Sequence, residues 1–213
     1  NTTALLLDDL QALRRHLGIT RWLVVGGSWG ATLALAYALR EPDAVDALLL
    51  RALFLARRVD IEAFFRGSNV DWQRITTASE EEARAIALDW WRHESALSGS
   101  SGSAPDADAL LARYRIQSHY LQHACWLDDP PLLQRCTALP HVPTLLLHGH
   151  EDRICAPEAA QALHAVAPHS TLRWIDGAGH DPAHPAMAAA MVDALDSYAG
   201  QRSFMREAIA QPR

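Results

Sequence analysis

Cysteine is scarce in this sequence, and the few cysteines are not spaced as metal ligands. The chain has three cysteines in 213 residues, an odd number. We interpret Cys125, Cys136 and Cys155 as free thiols of a reducing compartment, and therefore predict a cytoplasmic protein. Eleven histidines are present but scattered. His119 and His123 lie four residues apart without a third ligand or an H-E-x-x-H pattern, so we predict no metal site.

Positive charge and long apolar runs are scarce too. Against 25 aspartates and glutamates there are 19 arginines and no lysine, which gives a formal net charge of −6. Without basic blocks, nucleic acid and anionic membrane surfaces are poor partners. No apolar run approaches the roughly 20 residues of a membrane span. The first residues show no basic region followed by a cleavage site, so we expect no signal peptide.

Hydrophobic residues are plentiful, at 49%, and they follow an α/β pattern that excludes global disorder. The segment 21–27, RWLVVGG, is typical of a buried parallel strand. Helical spacing follows from about 29 to 40, and 45–55, VDALLLRALFL, is predicted as a second buried strand. Strand, helix and strand at this spacing form a βαβ unit, which implies a parallel sheet.

Helical spacing then replaces this pattern, with a cap helix predicted over 107–127, ADALLARYRIQSHYLQHACWL, and the α/β pattern resumes after Pro140 and Pro143. We therefore predict an α/β fold, a mostly parallel sheet flanked by helices, which a helical insertion interrupts. The predicted parts are a first core segment at 1–56, a helical cap at 57–137 and a second core segment at 138–213.

The pentapeptide GGSWG, Gly26 to Gly30, lies directly between the first strand and its helix. It fits G-x-S-x-G, in which a sharp, strained turn lifts a serine hydroxyl clear of the sheet. Ser28 is therefore the predicted nucleophile, and the backbone N–H of Trp29 is a predicted oxyanion donor. The alternative is a glycine-rich turn with an idle serine.

A serine hydroxyl is a weak nucleophile, so it needs a base and a group that orients the base. On this fold the chain order is serine, acid, histidine, with the last two on loops after later strands. Asp152 follows the strand in LLLHGHEDRIC, and His180 lies in the glycine-rich loop of WIDGAGHDPAHP. We predict that they complete the triad with Ser28. Rival acids and bases nearby are Glu151, Asp181, His148, His150 and His184.

The stretch from Asn1 to Phe54, with GGSWG and TLALAYA, resembles the nucleophile region of the proline iminopeptidases. HGHED and DGAGH match that family's acid and histidine segments, while WWRHE and YRIQSHYLQH match its cap more weakly. The resemblance implies the α/β-hydrolase fold with an inserted helical cap. It also implies a serine aminopeptidase that needs no metal or organic cofactor.

The resemblance further implies a pocket for an N-terminal proline. Glu94 and Gln117 match cap positions that recognise the free amine, and Gln117 supplies an amide where the family has a second acid. Arg51 and Phe54 match positions near the pocket, where Phe54 would pack on the pyrrolidine ring. Three of these positions have a plainer alternative: a solvated helix charge for Glu94, a surface amide for Gln117 and a structural ion pair for Arg51.

One part of the family's pattern is missing from this sequence. The family carries an upstream H-G-G-P-G loop that supplies a second oxyanion donor, and the only His-Gly pair here is His148-Gly149 in the acid segment. We expect the chain to be a fragment of a longer polypeptide, with an apolar sheet edge that is uncovered in isolation.

The predicted activity is release of N-terminal proline from a small peptide or amino-acid amide through an acyl-enzyme. One rival is an α/β-hydrolase that acts on other amides or on esters, and Gln117 favours it. The other is a truncated homologue that is inactive because its oxyanion site is incomplete. The sequence does not determine the oligomeric state.

Overall fold

The computed structural model of the chain describes residues 1–99 and 102–204, and its strands form one parallel sheet. Residues 205–213, within the predicted second core segment, lie outside the described residues. The strands are β1 (Trp22–Gly27), β2 (Val45–Arg51), β3 (Thr144–Gly149) and β4 (Thr171–Ile175). Their order in the sheet is β1-β2-β3-β4, and every neighbouring pair is parallel. The predicted parallel α/β fold is therefore confirmed.

The helices alternate with these strands and fill the region between β2 and β3. They are α1 (Thr3–His16), α2 (Trp29–Arg40), α3 (Arg58–Phe64), α4 (Glu80–Ser98), α5 (Ala107–Gln122), α6 (Leu132–Arg135), α7 (Glu158–Val166) and α8 (Pro185–Gln201). Capping follows the sequence: the Ser79 hydroxyl accepts a hydrogen bond from the Glu82 N–H at the start of α4. Gly99 ends the same helix in the left-handed conformation that glycine tolerates.

The core lies on both faces of the sheet, because side chains alternate along each strand. Leu48 and Leu50 of β2 belong to a buried cluster with Leu35 of α2. Leu49 of the same strand belongs to a separate cluster with Met187 of α8. Burial on both faces explains why the strand reads as a continuous apolar run. β1 is the first strand in the sheet order and is therefore an edge strand of the described sheet.

The cap has a small core of its own, in which α4 packs on α5. Its buried members are Ile75, Ala83, Ala87, Trp90, Leu110, Leu111 and Tyr114. The rings of Trp90 and Tyr114 stack at a centroid distance of 4.7 Å. We propose to keep the predicted boundaries of the cap, 57–137, for this helical insertion.

Two predicted elements are too long, and backbone conformation gives the reason. β2 ends at Arg51 rather than near Leu55, because Ala52 adopts a φ of 47° that a strand cannot contain. The second cap helix was expected to continue to about 127 but ends at Gln122, since Cys125 has a φ of 53°. Apolar residues continue past both ends, so hydrophobicity alone did not reveal them.

Candidate active site

Ser28 lies on the turn between β1 and α2, in a conformation that few residues other than glycine adopt. Its φ is 55° and its ψ is −124°. Its N–H donates to the Arg51 carbonyl at 3.0 Å, and its own carbonyl accepts from the Ala31 N–H at 2.9 Å. These bonds tie the turn to β2 and to the helix start, so the surroundings hold the strained backbone in place.

The two framing glycines of GGSWG have different reasons to be small. A Cβ on Gly26 would clash with the backbone carbonyl of Gly30, so strand and helix approach too closely for any other residue. A Cβ on Gly30 would meet nothing within 4 Å among the described residues. The steric requirement of the motif therefore rests on its first glycine.

Asp152 and His180 are brought together by the loops after β3 and β4. The Nδ1 atom of His180 lies 2.9 Å from Asp152 Oδ2 and 3.2 Å from Oδ1. Asp152 Oδ1 also accepts from the N–H groups of Ile154 and Cys155, at 2.9 and 2.8 Å. The residue is 3% exposed. A buried carboxylate held by backbone donors can fix the ring of His180 and its tautomer.

Arg51 lies beside this pair and makes a contact that its motif did not suggest. Its Nη1 donates to the carbonyl oxygen of His180 at 2.6 Å, and the residue is 8% exposed. A Cβ on Gly27 would come within 2.7 Å of its Nη2. Arg51 therefore packs between the nucleophile strand and the histidine loop.

Of the rival bases and acids, His148 alone is buried, at 1% exposure. Its Nδ1 accepts from the Leu53 N–H at 3.3 Å, and its Nε2 lies 2.9 Å from the Cys155 carbonyl. The ring is therefore neutral with the proton on Nε2, and burial lowers the pKa of His148. It ties the loop after β2 to the acid loop. The other four rivals are Glu151, Asp181, His150 and His184, none of them buried.

Cys155 is a site residue that the sequence analysis missed. Its Sγ lies 3.7 Å from Ser28 Oγ, and burial raises the pKa of the thiol. Among the described residues Ser28 Oγ has no hydrogen bond to His180. Catalytic hydrogen bonds are often long without substrate. Its place in the sequence could have indicated this role, because Cys155 follows Asp152 by three residues on the same loop after β3.

Trp29 is the first residue of α2, where backbone N–H groups have no partner within the helix. In the described part of the chain its N–H has no acceptor. The helix dipole adds partial positive charge at this end. An oxyanion that forms on a group attached to Ser28 could receive this N–H.

A cavity of about 560 Å³ adjoins Ser28 and extends into the cap. Phe54, Glu94 and Gln117 line it, as do Ser28 and Cys155, whereas Arg51 does not. The remaining lining is largely aromatic and aliphatic: Leu6, Trp29, Ile61, Phe64, Phe65, Trp90, Ile116, Tyr120, Leu121 and Ile154. Three of the four predicted substrate contacts thus share one cavity with the predicted nucleophile.

Glu94 is already engaged within this cavity wall. Its Oε1 accepts from Arg113 Nη2 at 2.6 Å, and its Oε2 accepts from the Tyr114 hydroxyl at 2.8 Å. Gln117 makes no hydrogen bond within the described residues. The amide is therefore free for a ligand, while the carboxylate shares its charge with an arginine.

Residues 1–99 and 102–204 contain no group of three histidine, cysteine, aspartate or glutamate side chains placed to hold a metal ion. His119 and His123, the pair noted in the sequence, have ring centroids 4.8 Å apart. Among the helices in these ranges, none has the length and apolar character needed to cross a bilayer.

Comparison with known proteins identifies relatives over most of the chain. Residues 1–184 match the family described as alpha/beta hydrolase fold. The chain is 32% identical to the proline iminopeptidase of Xylella fastidiosa strain 9a5c, over 93% of this chain and 74% of the relative. It is 33% identical to the proline iminopeptidase of Neisseria gonorrhoeae, over 92% and 72%. It is 31% identical to a probable proline iminopeptidase of Leptolyngbya boryana, over 95% and 73%.

Solved structures give the same fold. An esterase from Exiguobacterium antarcticum superposes with a TM-score of 0.65 at 19% identity, covering 94% of this chain and 74% of the esterase. The structure of VinJ superposes with a TM-score of 0.64 at 17% identity, covering 92% and 72%. These similarities confirm the predicted fold class, and the sequence relatives confirm the predicted resemblance.

Proposed function

We propose that this chain, which belongs to the proline iminopeptidase family of α/β-hydrolases, is a serine aminopeptidase that releases N-terminal proline from peptides through an acyl-enzyme on Ser28. One observation carries the proposal: Ser28, on its strained turn, lines the same cavity as Phe54, Glu94 and Gln117. The substrate is a small peptide or an amino-acid amide. A cytoplasmic location, favoured by free thiols, is part of the proposal.

In the first step His180 takes the proton of the Ser28 hydroxyl, and Ser28 Oγ attacks the carbonyl carbon of the N-terminal residue. This requires Oγ to turn from Cys155 toward the imidazole, a rotation about a single side-chain bond. The negative charge that develops on the carbonyl oxygen is stabilised in part by the Trp29 N–H. His180 then gives its proton to the leaving amine as the amide bond breaks.

In the second step His180 takes a proton from water, and the resulting hydroxide attacks the acyl-enzyme. The ester bond to Ser28 Oγ breaks, the oxygen regains its proton from His180, and the amino acid leaves. Asp152 stabilises the imidazolium that forms in each step, through the contact to Nδ1 at 2.9 Å. Arg51 acts through the His180 carbonyl and is a positioning residue in this proposal.

Substrate recognition is assigned to two cap residues and to Phe54 at the end of the first core segment. Glu94 and Gln117 would accept hydrogen bonds from the substrate ammonium, and Phe54 would pack on the proline ring. Their common place in the lining of the cavity supports this assignment. The aromatic remainder of the wall suits the apolar part of a substrate.

A second function, hydrolysis of other amides or of esters, is favoured by one observation. Both oxygens of Glu94 have protein partners, so the attraction of the pocket for an ammonium group is reduced. The catalytic steps on Ser28 would be the same, and only the acyl group would differ.

Active-site labelling combined with turnover tests the proposal. The protein is treated with a fluorophosphonate, the adduct is mapped by mass spectrometry, and release of proline from a prolyl anilide is followed in parallel. Labelling of Ser28, together with turnover that Ser28→Ala abolishes, is expected. Labelling elsewhere, with an active Ser28→Ala variant, would exclude this nucleophile. Labelling of Ser28 with turnover of esters alone would favour the second function, and no labelling would favour an inactive homologue.

A further inference from the structure

The carboxylate of Glu94 is the group in this cavity wall that can favour a positively charged substrate over an uncharged one. It is held from two sides, by the Arg113 guanidinium at 2.6 Å and by the Tyr114 hydroxyl at 2.8 Å. The side chain of Glu94 is 22% exposed, and that of Arg113 is 48% exposed. The inner partner is thus a neutral hydroxyl, and the outer partner is a cation that faces solvent.

The inner side of this arrangement is rigid. Tyr114 is fully buried, and its ring stacks on Trp90, which also lines the cavity. Burial is the main cause that raises the pKa of Tyr114, with Glu94 a further cause, so this hydroxyl stays protonated and keeps donating. The guanidinium carbon of Arg113 lies 5.1 Å from the centre of the same ring. Tyr114 therefore fixes where Glu94 points, whatever Arg113 does.

Arg113 determines how much negative charge the pocket presents. Among the arginine, aspartate and glutamate side chains, those that line the cavity are Glu94 and Arg115. Arg115 pairs with Glu80 at 2.8 Å. Gln117 is neutral. With Arg113 opposite Glu94, the carboxylate attracts a substrate cation less strongly, because the guanidinium repels that cation and offsets part of the carboxylate charge.

We propose that Arg113 is a specificity-determining residue that lowers the preference of the pocket for a cationic N-terminus. The chain then accepts uncharged apolar acyl groups of similar shape, such as a cyclopentane carbonyl, beside the prolyl group. This inference rests on the proposed function only in placing the acyl group of the substrate next to Glu94. Arg113 does not itself line the cavity and acts through that carboxylate.

A structural role for Arg113 would be redundant. Arg84 of α4 binds Asp108 of α5 at 2.8 Å and so bridges the same two helices away from the cavity. The buried aromatic and aliphatic contacts between α4 and α5 hold the pair together in any case. Arg84→Gln is therefore a matched control, since it removes a similar ion pair between the same helices without touching Glu94.

The test compares kcat/KM for a prolyl anilide and for the cyclopentanecarbonyl anilide, which has the same ring size and no amine. Arg113→Gln is expected to raise the ratio of prolyl to cyclopentanecarbonyl turnover about tenfold, the effect of about 1.4 kcal/mol. Arg113→Lys keeps the positive charge and should leave the ratio within about twofold of wild type. Arg84→Gln should do the same. With Glu94→Gln already in place, adding Arg113→Gln should bring no gain.

An unchanged ratio in a folded Arg113→Gln variant would overturn the proposal, as would a gain that persists in the Glu94→Gln background. Failure of the proposed function looks different, because neither anilide is then turned over. In that case thermal stabilisation by prolinamide is compared with that by cyclopentanecarboxamide in the same variants. Preferential stabilisation by prolinamide should again grow in Arg113→Gln, and its failure to grow would refute the role of Arg113.

Discussion

The catalytic site in the core and the α4–α5 helix pair of the cap keep their charged groups in different places. In the core, Arg51 and Asp152 are 8% and 3% exposed, and each bonds to backbone atoms of another loop or its own turn. In the cap, ion pairs such as Arg84–Asp108 and Arg115–Glu80 lie at the surface. Exposed pairs contribute about 0–1 kcal/mol, whereas breaking a buried network costs several. Catalytic geometry is therefore fixed, and the charge of the substrate pocket is adjustable.

The largest expected effect breaks the buried network at its acid. Asp152→Asn keeps the size of the side chain but favours the wrong tautomer of His180, so kcat should fall about 10⁴-fold. The measurement is kcat/KM on a prolyl anilide or, if esters are the substrate, on an aryl ester. Asp108→Asn in the cap, which loses an exposed partner of Arg84, is the matched control and should change kcat/KM less than twofold. Equal losses in both variants would erase the contrast between the two regions.

The next effect concerns the turn that carries the nucleophile. Gly26→Ala places a Cβ against the carbonyl of Gly30, so β1 and α2 must separate, and we expect a loss of about 3 kcal/mol in the free energy of unfolding. Gly30→Ala meets no neighbour among the described residues and removes a glycine from a helix, which should stabilise by up to about 1 kcal/mol. Urea unfolding measures both. Similar losses in the two variants would contradict the clash at Gly26.

The sequence predicted the core better than the cap for a physical reason. Chain order and local motif together placed Asp152 beside His180, because loops after neighbouring parallel strands meet at one sheet edge. No motif showed that Arg51 would reach the His180 carbonyl, since that contact joins residues 129 apart. The Arg113–Glu94 pair was missed likewise, because it depends on how two helices pack and not on spacing within either.

The same reasoning explains the errors at element ends. The strand that begins with VDALLL was predicted to continue to Leu55 through mostly buried residues. Instead the backbone turns at Ala52, with a φ of 47°, so that the Leu53 N–H donates to His148. Periodicity reports burial, and these residues are buried. What it does not report is which partner the backbone N–H finds, and here that partner is a side chain from the next strand.

A smaller effect should appear in the dependence of core stability on pH. Burial lowers the pKa of His148, whose neighbours include Asp152, Cys155, His180 and Arg51. The folded state thus binds fewer protons than the unfolded state, in which the pKa is about 6.5. The stability that depends on neutral His148 is present above that pH and is lost as the pH falls below it, at up to about 1.4 kcal/mol per pH unit.

His148→Gln keeps a donor toward the Cys155 carbonyl and has no titrating ring, so its loss of stability between pH 7 and 5 should be shallower than that of wild type. Thermal unfolding across this range gives the two slopes. His150→Gln is the control for removal of an exposed ring beside the same strand end, and the slope of His148→Gln should be shallower than that of His150→Gln. A slope in His148→Gln as steep as in wild type would show that His148 is not the group being protonated.

The smallest effect sharpens the cap side of the comparison. Gln117 lines the cavity without a hydrogen bond among the described residues, so Gln117→Glu adds a charge where the wall has a free amide. A charge-assisted hydrogen bond contributes roughly 1.5–3 kcal/mol, against about 0.5–1.5 for a neutral one. The ratio of kcat/KM for a free-amine prolyl amide to that for its N-acetyl form should therefore rise about tenfold.

Two carboxylates in one pocket repel each other, which would raise the pKa of one of them and reduce this gain. Arg113 opposes that repulsion, because it already balances Glu94 at 2.6 Å. Gln117→Glu should therefore gain less in an Arg113→Gln background than in wild type, although each change alone favours a cationic substrate. Glu94→Gln should lower the ratio in every background. If Gln117→Glu and Glu94→Gln both leave the ratio unchanged, the amine is bound elsewhere, and the hydrolase of uncharged acyl groups becomes the better account of this cap.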